Sequence, residues 1–159
     1  MGKKKRAAQK IAMISSTAQD LPDHRRAVMD ACLCSGVFPK MMEQLPASDK
    51  DAITVSLEMV ETSDIYIGVY GNRYGWIPKG YDKSITELEY DHAVSCNLPI
   101  LIFLMHRDHP IVASQVEKSA TAQKKLNAFK QPATDSRIRV EFKSVDELRG
   151  LVIQSLANL

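Results

Sequence analysis

Five short apolar runs alternate along this chain with stretches of helical spacing, and that alternation restricts the possible folds more than any other feature. "KIAMISS" (10–16) reads as a strand. "DLPDHRRAVMDACLCSG" (20–36) reads as a helix, opened by Asp20 as N-cap and stopped by Gly36. "VFPKMM" (37–42) is a weaker strand that Pro39 confines to an edge or a bulge. "SDKDAITVSLEMVETS" (48–63) is a helix capped by Ser48 and Asp51, with Ile53, Leu57 and Val60 as its stripe. "DIYIGVYG" (64–71) is a strand rich in β-branched and aromatic residues. After a loop at 72–83, "SITELEYDHAVSC" (84–96) is a helix, and "LPILIFLM" (98–105) is apolar enough to be buried on both faces. A helix is expected around 115–130, and a strand at "RIRVEF" (137–142). The last helix (144–159) is opened by a capping box of Ser144 and Glu147.

Strand and helix repeated five times specify an α/β fold: a parallel sheet with helices on both faces. The weak second strand and the alternating fifth suit the two edges, and the apolar fourth suits the interior. The expected architecture is therefore flavodoxin-like, a five-stranded parallel sheet of order 2-1-3-4-5. Its strand order reverses between strands 1 and 3, and ligands bind there, outside the carboxyl ends of the strands. Two segments should line that crevice: "SSTAQD" (15–20) and "YGNRYGW" (70–76).

The 159 residues suffice for one domain, and 45% hydrophobic with 25% charged residues excludes the disordered and membrane classes. The longest apolar run, 99–105, is too short to span a bilayer. The opening "MGKKKR" leads into no signal-like apolar region, so a cytoplasmic location is expected. Lys3, Lys4, Lys5, Arg6 and Lys10 make a basic N-terminal arm, expected to be flexible over 1–9, ahead of a single domain at 10–159. Setting those five charges aside turns the formal +2 into −3, so the body is mildly acidic and no specific nucleic-acid face is expected. Cys32, Cys34 and Cys96 fit no metal framework and read as reduced, buried thiols.

Glu87 and Glu89 share the helix at 84–96 but not a role. With Ser84 as N-cap, Glu87 stands at the third helical position, where its carboxylate would reach back to the Ser84 N–H. At about 100° per residue, Glu89 falls about 40° from Ile85, within a stripe that includes Leu88, His92, Ala93 and Cys96, whereas Glu87 and Asp91 fall about 200° and 240° away. Glu89 therefore points at the sheet, and an unpaired carboxylate there costs several kcal/mol. Two readings are open. Glu89 is paired, with Arg73 or His92 as partner. Or it faces the crevice, where it would hold a ribose hydroxyl or steady the sugar cation formed as an N-glycosidic bond breaks.

Other candidates line the same crevice. Ser15, Ser16 and Thr17 end strand 1, where their hydroxyl and N–H groups would hold a phosphate, or merely cap a turn. Arg73 would pair with a pyrophosphate or with Glu89. Tyr74 and Trp76 would stack on a base, or pack the loop. "HRDH" (106–109) offers two histidines with no third or fourth ligand evident, so no metal is expected. Glycine-rich phosphate loops of the Rossmann or P-loop kind are absent from the sequence.

Four stretches, "AMISSTAQDL", "MEQLPASD", "SDIYIGVYGNRYGWIP" and "SITELEYDHAVSCNLPILIFL", carry a strand ending in S-S-T, a G-x-R-Y-G loop and a T-E-x-E-Y helix. In these, over roughly residues 10–105, the chain resembles the TIR-like domain-of-unknown-function family, related to TIR domains and more remotely to nucleoside deoxyribosyltransferases. The resemblance implies a flavodoxin-like fold and a functional glutamate on the helix before strand 4. In enzymatic TIR domains that glutamate serves NAD cleavage; in the transferases it is the nucleophile. "EYDHAVSC" matches the TIR run E-x-x-x-A-x-S-C from Glu89, although "ITEL" replaces the tryptophan–cysteine pair that precedes it in TIR domains. The implied function is a TIR-like effector that binds NAD or a related nucleotide and hydrolyses its nicotinamide–ribose bond. NAD would be the substrate and no cofactor would be required. The implied alternatives are a non-catalytic homotypic signalling module and a nucleoside or nucleotide glycosyltransferase. The resemblance further implies homo-oligomers and a possible parent chain bearing NTPase and repeat modules.

Overall fold

The computed structural model describes residues 8–44, 51–135 and 139–159. Its strands are Ile11–Ser15 (β1), Phe38–Lys40 (β2), Ile65–Tyr70 (β3), Ile100–Met105 (β4) and Arg139–Phe142 (β5). They form one sheet in the order β2-β1-β3-β4-β5, with every neighbouring pair parallel, as the sequence led us to expect. Between and after them run the helices Pro22–Cys34 (α1), Ala52–Glu61 (α2), Ile85–Ser95 (α3), Ala120–Asp135 (α4) and Val145–Ala157 (α5). Most of the basic arm, the Ser48 cap and residues 137–138 of the expected last strand lie outside the described residues.

Side-chain alternation divides the core into two layers. Ala12 and Ile14 of β1 and Ile65, Ile67 and Val69 of β3 pack with Val28, Ala31 and Cys32 of α1 and with Leu148 and Val152 of α5. Met13, Tyr66 and Tyr70 turn the other way, against Met59 and Val60 of α2, Tyr90 and Ala93 of α3, and Leu126 and Phe129 of α4. Ser15 is two residues beyond Met13, so β1 directs its hydroxyl to this second face, toward α2 and α3. Every residue of β3 is buried, as a central parallel strand requires. Gly68 is needed there because a Cβ would collide with the Tyr70 ring and hydroxyl. The Tyr66 and Tyr70 hydroxyls meet at 3.0 Å.

The ends of the elements depart from expectation in several places. Leu21, not Asp20, occupies the N-cap position of α1, and it makes no side-chain cap bond; Pro22 opens the helix instead. Asp51 does cap α2, accepting from the Ile53 and Thr54 N–H groups. Gly36 stops α1 in the left-handed region at φ 73°. Ser144 accepts the Glu147 N–H at the start of α5, but the Glu147 carboxylate takes the N–H of Lys143, so the capping box is shifted by one residue. All three cysteines are free, yet only Cys32 is buried, its thiol pushed up to about 12 by burial. Cys34 and Cys96 are exposed because each falls at a helix end, beyond the packed stripe.

Candidate functional site

The loops leaving β1 and β3 diverge where the strand order reverses, and Asp20 ties them together. Its buried carboxylate accepts the Thr17 hydroxyl and, at 3.1 Å, the Asn72 N–H. Burial raises the Asp20 carboxyl above its ordinary range despite those bonds. A Cβ at Gly71 would stand 2.7 Å from Asp20 Oδ2, so glycine lets the second loop approach. Gly75, at φ 92°, turns the chain back against Thr17.

Two adjoining hollows open at this crevice. The larger, about 550 Å³, is lined by Thr17, Gln19, Arg73, Trp76 and Glu117 among others. The smaller, about 200 Å³, is lined by Arg25, Glu43 and Glu89. Ser16, Ala18, Met42, Ile85 and Thr86 border both. A separate groove of about 420 Å³ runs past Arg26, Leu33 and Val145, between α1 and α5 and remote from Glu89.

Glu89 is 4% exposed and sits on the inner side of α3, as the helical wheel indicated. The buried face of α3 is formed by Thr86, Glu89, Tyr90 and Ala93, turned by roughly 80° from the stripe read off the sequence. The partners expected for Glu89 are engaged elsewhere. Arg73 donates to the Ser114 carbonyl at 3.2 Å, and His92 Nε2 lies 2.9 Å from Glu61 at the surface. Glu89 instead accepts the hydroxyls of Ser15 from β1 and Ser56 from α2. Burial raises its carboxyl above the ordinary range; the two serine bonds and the Arg25 charge oppose that rise without cancelling it. Ser56 was legible after all: it lies three residues after Ile53 and four before Val60, on the packed side of α2.

Arg25 is the residue that sequence reasoning missed. It is 6% exposed, and its guanidinium donates to the Ser16 carbonyl at 2.6 Å, the Ser16 hydroxyl at 2.5 Å and Glu43 Oε2 at 2.5 Å. Its position four residues after Leu21 and three before Val28 places it on the inner stripe of α1. Glu43 stands on the 3-10 turn Met42–Gln44 with its side chain 48% exposed. Burial works against ionisation of Glu43, but the Arg25 hydrogen bond and charge outweigh it and hold the carboxyl below its ordinary range.

The remaining candidates separate. Ser16, Thr17, Arg73 and Trp76 line the crevice, Trp76 at 62% exposure. Ser15 is sealed beneath it as a partner of Glu89. Tyr74 is buried at 2% and packs in the core instead. Its hydroxyl accepts the Ser84 N–H at 3.2 Å and donates to Glu87. Tyr74 is thereby inserted into the capping box at the start of α3, and Glu87, expected on the Ser84 N–H, reaches it only through that hydroxyl. In "HRDH", His109 Nε2 lies 2.9 Å from Nε2 of buried His24. His109 Nδ1 lies 2.7 Å from the Pro110 carbonyl and donates to it, so in the neutral pair His24 is the donor to His109. Burial, with the neighbouring His109, lowers His24 to about 4.

The activated Roq1 resistosome that directly recognises the pathogen effector XopQ, in its TIR domains, superposes on this chain with a TM-score of 0.53. The identity is 14%, over 95% of this chain and 85% of that one. A flavodoxin from the domain Archaea aligns at a TM-score of 0.46 and 11% identity, over 93% of this chain and 96% of that one. No curated protein matches the sequence. The first likeness establishes a TIR-like fold, in keeping with the 2-1-3-4-5 sheet. The model of one protein family matches residues 12–157, from the second residue of β1 to the last of α5. The chain therefore belongs to that family, described as a domain of unknown function (DUF4062).

Proposed function

We propose that this TIR-like domain binds NAD or a related nucleotide in the switch-point crevice and hydrolyses the nicotinamide–ribose N-glycosidic bond, with Glu89 as the catalytic carboxylate. The observation that carries this reading is the company Glu89 keeps. A buried carboxylate with a purely structural role is ordinarily matched by a cation. Glu89 is bonded to two serine hydroxyls and borders a hollow, which leaves its negative field available to a ligand. As the bond from C1′ to the pyridine nitrogen breaks, its electron pair neutralises the ring nitrogen and positive charge develops on the ribose. A fixed carboxylate in a low-dielectric recess stabilises that charge more than it stabilises the bound substrate. Ser15 and Ser56 hold Glu89 in place. Ser16, Thr17 and Arg73 serve the phosphates, and Trp76 takes the base. The reaction requires no cofactor. Incubation with NAD, with nicotinamide followed by chromatography, tests the reading: release from the native protein should be lost in Glu89→Gln, and its absence at high protein concentration would defeat it.

A second reading, a non-catalytic module acting by homotypic contacts, draws on the groove between α1 and α5, where Leu33 is 53% exposed. Self-association is compatible with both readings. Leu33→Asp should abolish any concentration-dependent dimer in sedimentation if that groove is the contact.

A further inference from the structure

The hollow that holds Glu89 contains a second carboxylate. Glu43 lines it from the 3-10 turn after β2, bonded to Arg25, which lines it too and also holds Ser16. The two acids differ in every respect that matters to their chemistry. Glu89 is sealed and held by two hydroxyl donors, out of reach of bulk water. Glu43 has half its surface in water and is held ionised by Arg25. In one cavity a sealed carboxylate can act only through its charge, whereas one open to solvent can also exchange a proton with water. The recess, at about 200 Å³, has room for a pentose ring and little else, so a sugar in it would meet Glu89 on its buried side and Glu43 on its exposed side.

We infer that Glu43 is a second catalytic residue, the general base that takes a proton from the water attacking C1′ of the ribosyl cation. The inference rests on the hydrolytic reading given above and adds the residue that completes it. In the step, a water oxygen forms the new bond to C1′ and Glu43 receives the proton that the water loses. The pair of electrons from the broken C1′–N bond has already left with nicotinamide. Glu43 then returns the proton to solvent. Arg25 is a positioning residue in this scheme: it fixes the Glu43 carboxylate by one oxygen and fixes the Ser16 wall by its carbonyl and hydroxyl.

Water and a pyridine base distinguish the role. Attack by 3-acetylpyridine on the same cation gives base exchange, and this nucleophile has no proton to lose. Glu43→Gln should therefore lower hydrolysis of NAD by about 100-fold, the lower end of what a general base contributes, and leave exchange within about threefold of the native rate. Glu43→Asp, which keeps the carboxylate, should recover part of the hydrolysis. An equal fall in both reactions would make Glu43 structural, and no fall in either would make it a bystander; both results overturn the inference while leaving Glu89 and the hydrolytic reading intact. Absence of any nicotinamide release from the native protein would instead defeat the hydrolytic reading itself, and the role of Glu43 with it.

Discussion

Glu89→Gln should make the folded protein more stable, and the gain should depend on pH. Taking a carboxylate out of water costs several kcal/mol. The two serine bonds return roughly 1.5–3 kcal/mol each, the range for hydrogen bonds to a charged group. Burial outweighs them, since the carboxyl is raised above its ordinary range. The uncompensated remainder destabilises the ionised native protein. Glutamine keeps the size and one acceptor, and a serine hydroxyl rotates to accept from the new amide. In a domain of this size each kcal/mol is worth about 2–4 °C, so Tm should rise by a few degrees at pH 7.5. The sign follows from linkage. The folded group holds its proton more tightly than the unfolded one, so native stability is full below the unfolded pKa and falls as pH rises through the folded pKa. The two proteins should therefore melt together near pH 4 and separate as pH rises. Paired thermal melts by circular dichroism across that range test this. A variant less stable than the native protein at pH 7.5, or a difference that does not vary with pH, would refute the reasoning.

Other consequences are equally specific. Tyr74→Phe removes the acceptor of the buried Ser84 N–H and should cost about 1–3 kcal/mol in urea unfolding, with Glu87 free to recover part of it by bonding that N–H directly. Gly68→Ala drives a methyl group into the Tyr70 ring and should cost about 1–3 kcal/mol by the same measurement. Trp76 is the only tryptophan of the chain, so its fluorescence reports on the crevice alone; NAD should quench it, and Arg73→Gln should shift that titration to higher nucleotide concentration. His24 should show no titration of its ring Cε1 proton by NMR between pH 8 and 5, because burial beside His109 keeps it neutral to about pH 4.

The fold could be read from the sequence because both of its periodicities are strong. The β-branched run at 64–71 and the apolar run at 98–105 admit little but central strands, and Pro39 leaves β2 nowhere but an edge. Glu89 was legible for a similar reason: a charge inside a helical stripe is conspicuous. Its partners were not, since a buried carboxylate calls for an opposite charge, whereas two serine hydroxyls hold this one. Arg25 was overlooked beside Arg26, because two consecutive arginines in a helix read as a solvated face, whereas only Arg26 is turned outward. Asp20 resembled an N-cap by position, but its contact across the chain to Asn72 depends on how close two loops come, which local spacing does not encode. For Tyr74 the sequence left stacking and packing open; the structure takes packing, because its hydroxyl supplies the acceptor for the buried Ser84 N–H at the start of α3.

The claim at the centre of this account is that Glu89, and not its neighbour Glu87, performs chemistry. The measurement that addresses it most directly is nicotinamide release from NAD by concentrated protein, run in parallel for the native chain, Glu89→Gln and Glu87→Gln. We predict release by the native protein, a loss of about 100-fold or more in Glu89→Gln, and near-native release in Glu87→Gln, whose carboxylate is taken up by the Tyr74 hydroxyl and Lys83. Equal release by native protein and Glu89→Gln, or none from the native protein at any concentration, would contradict it.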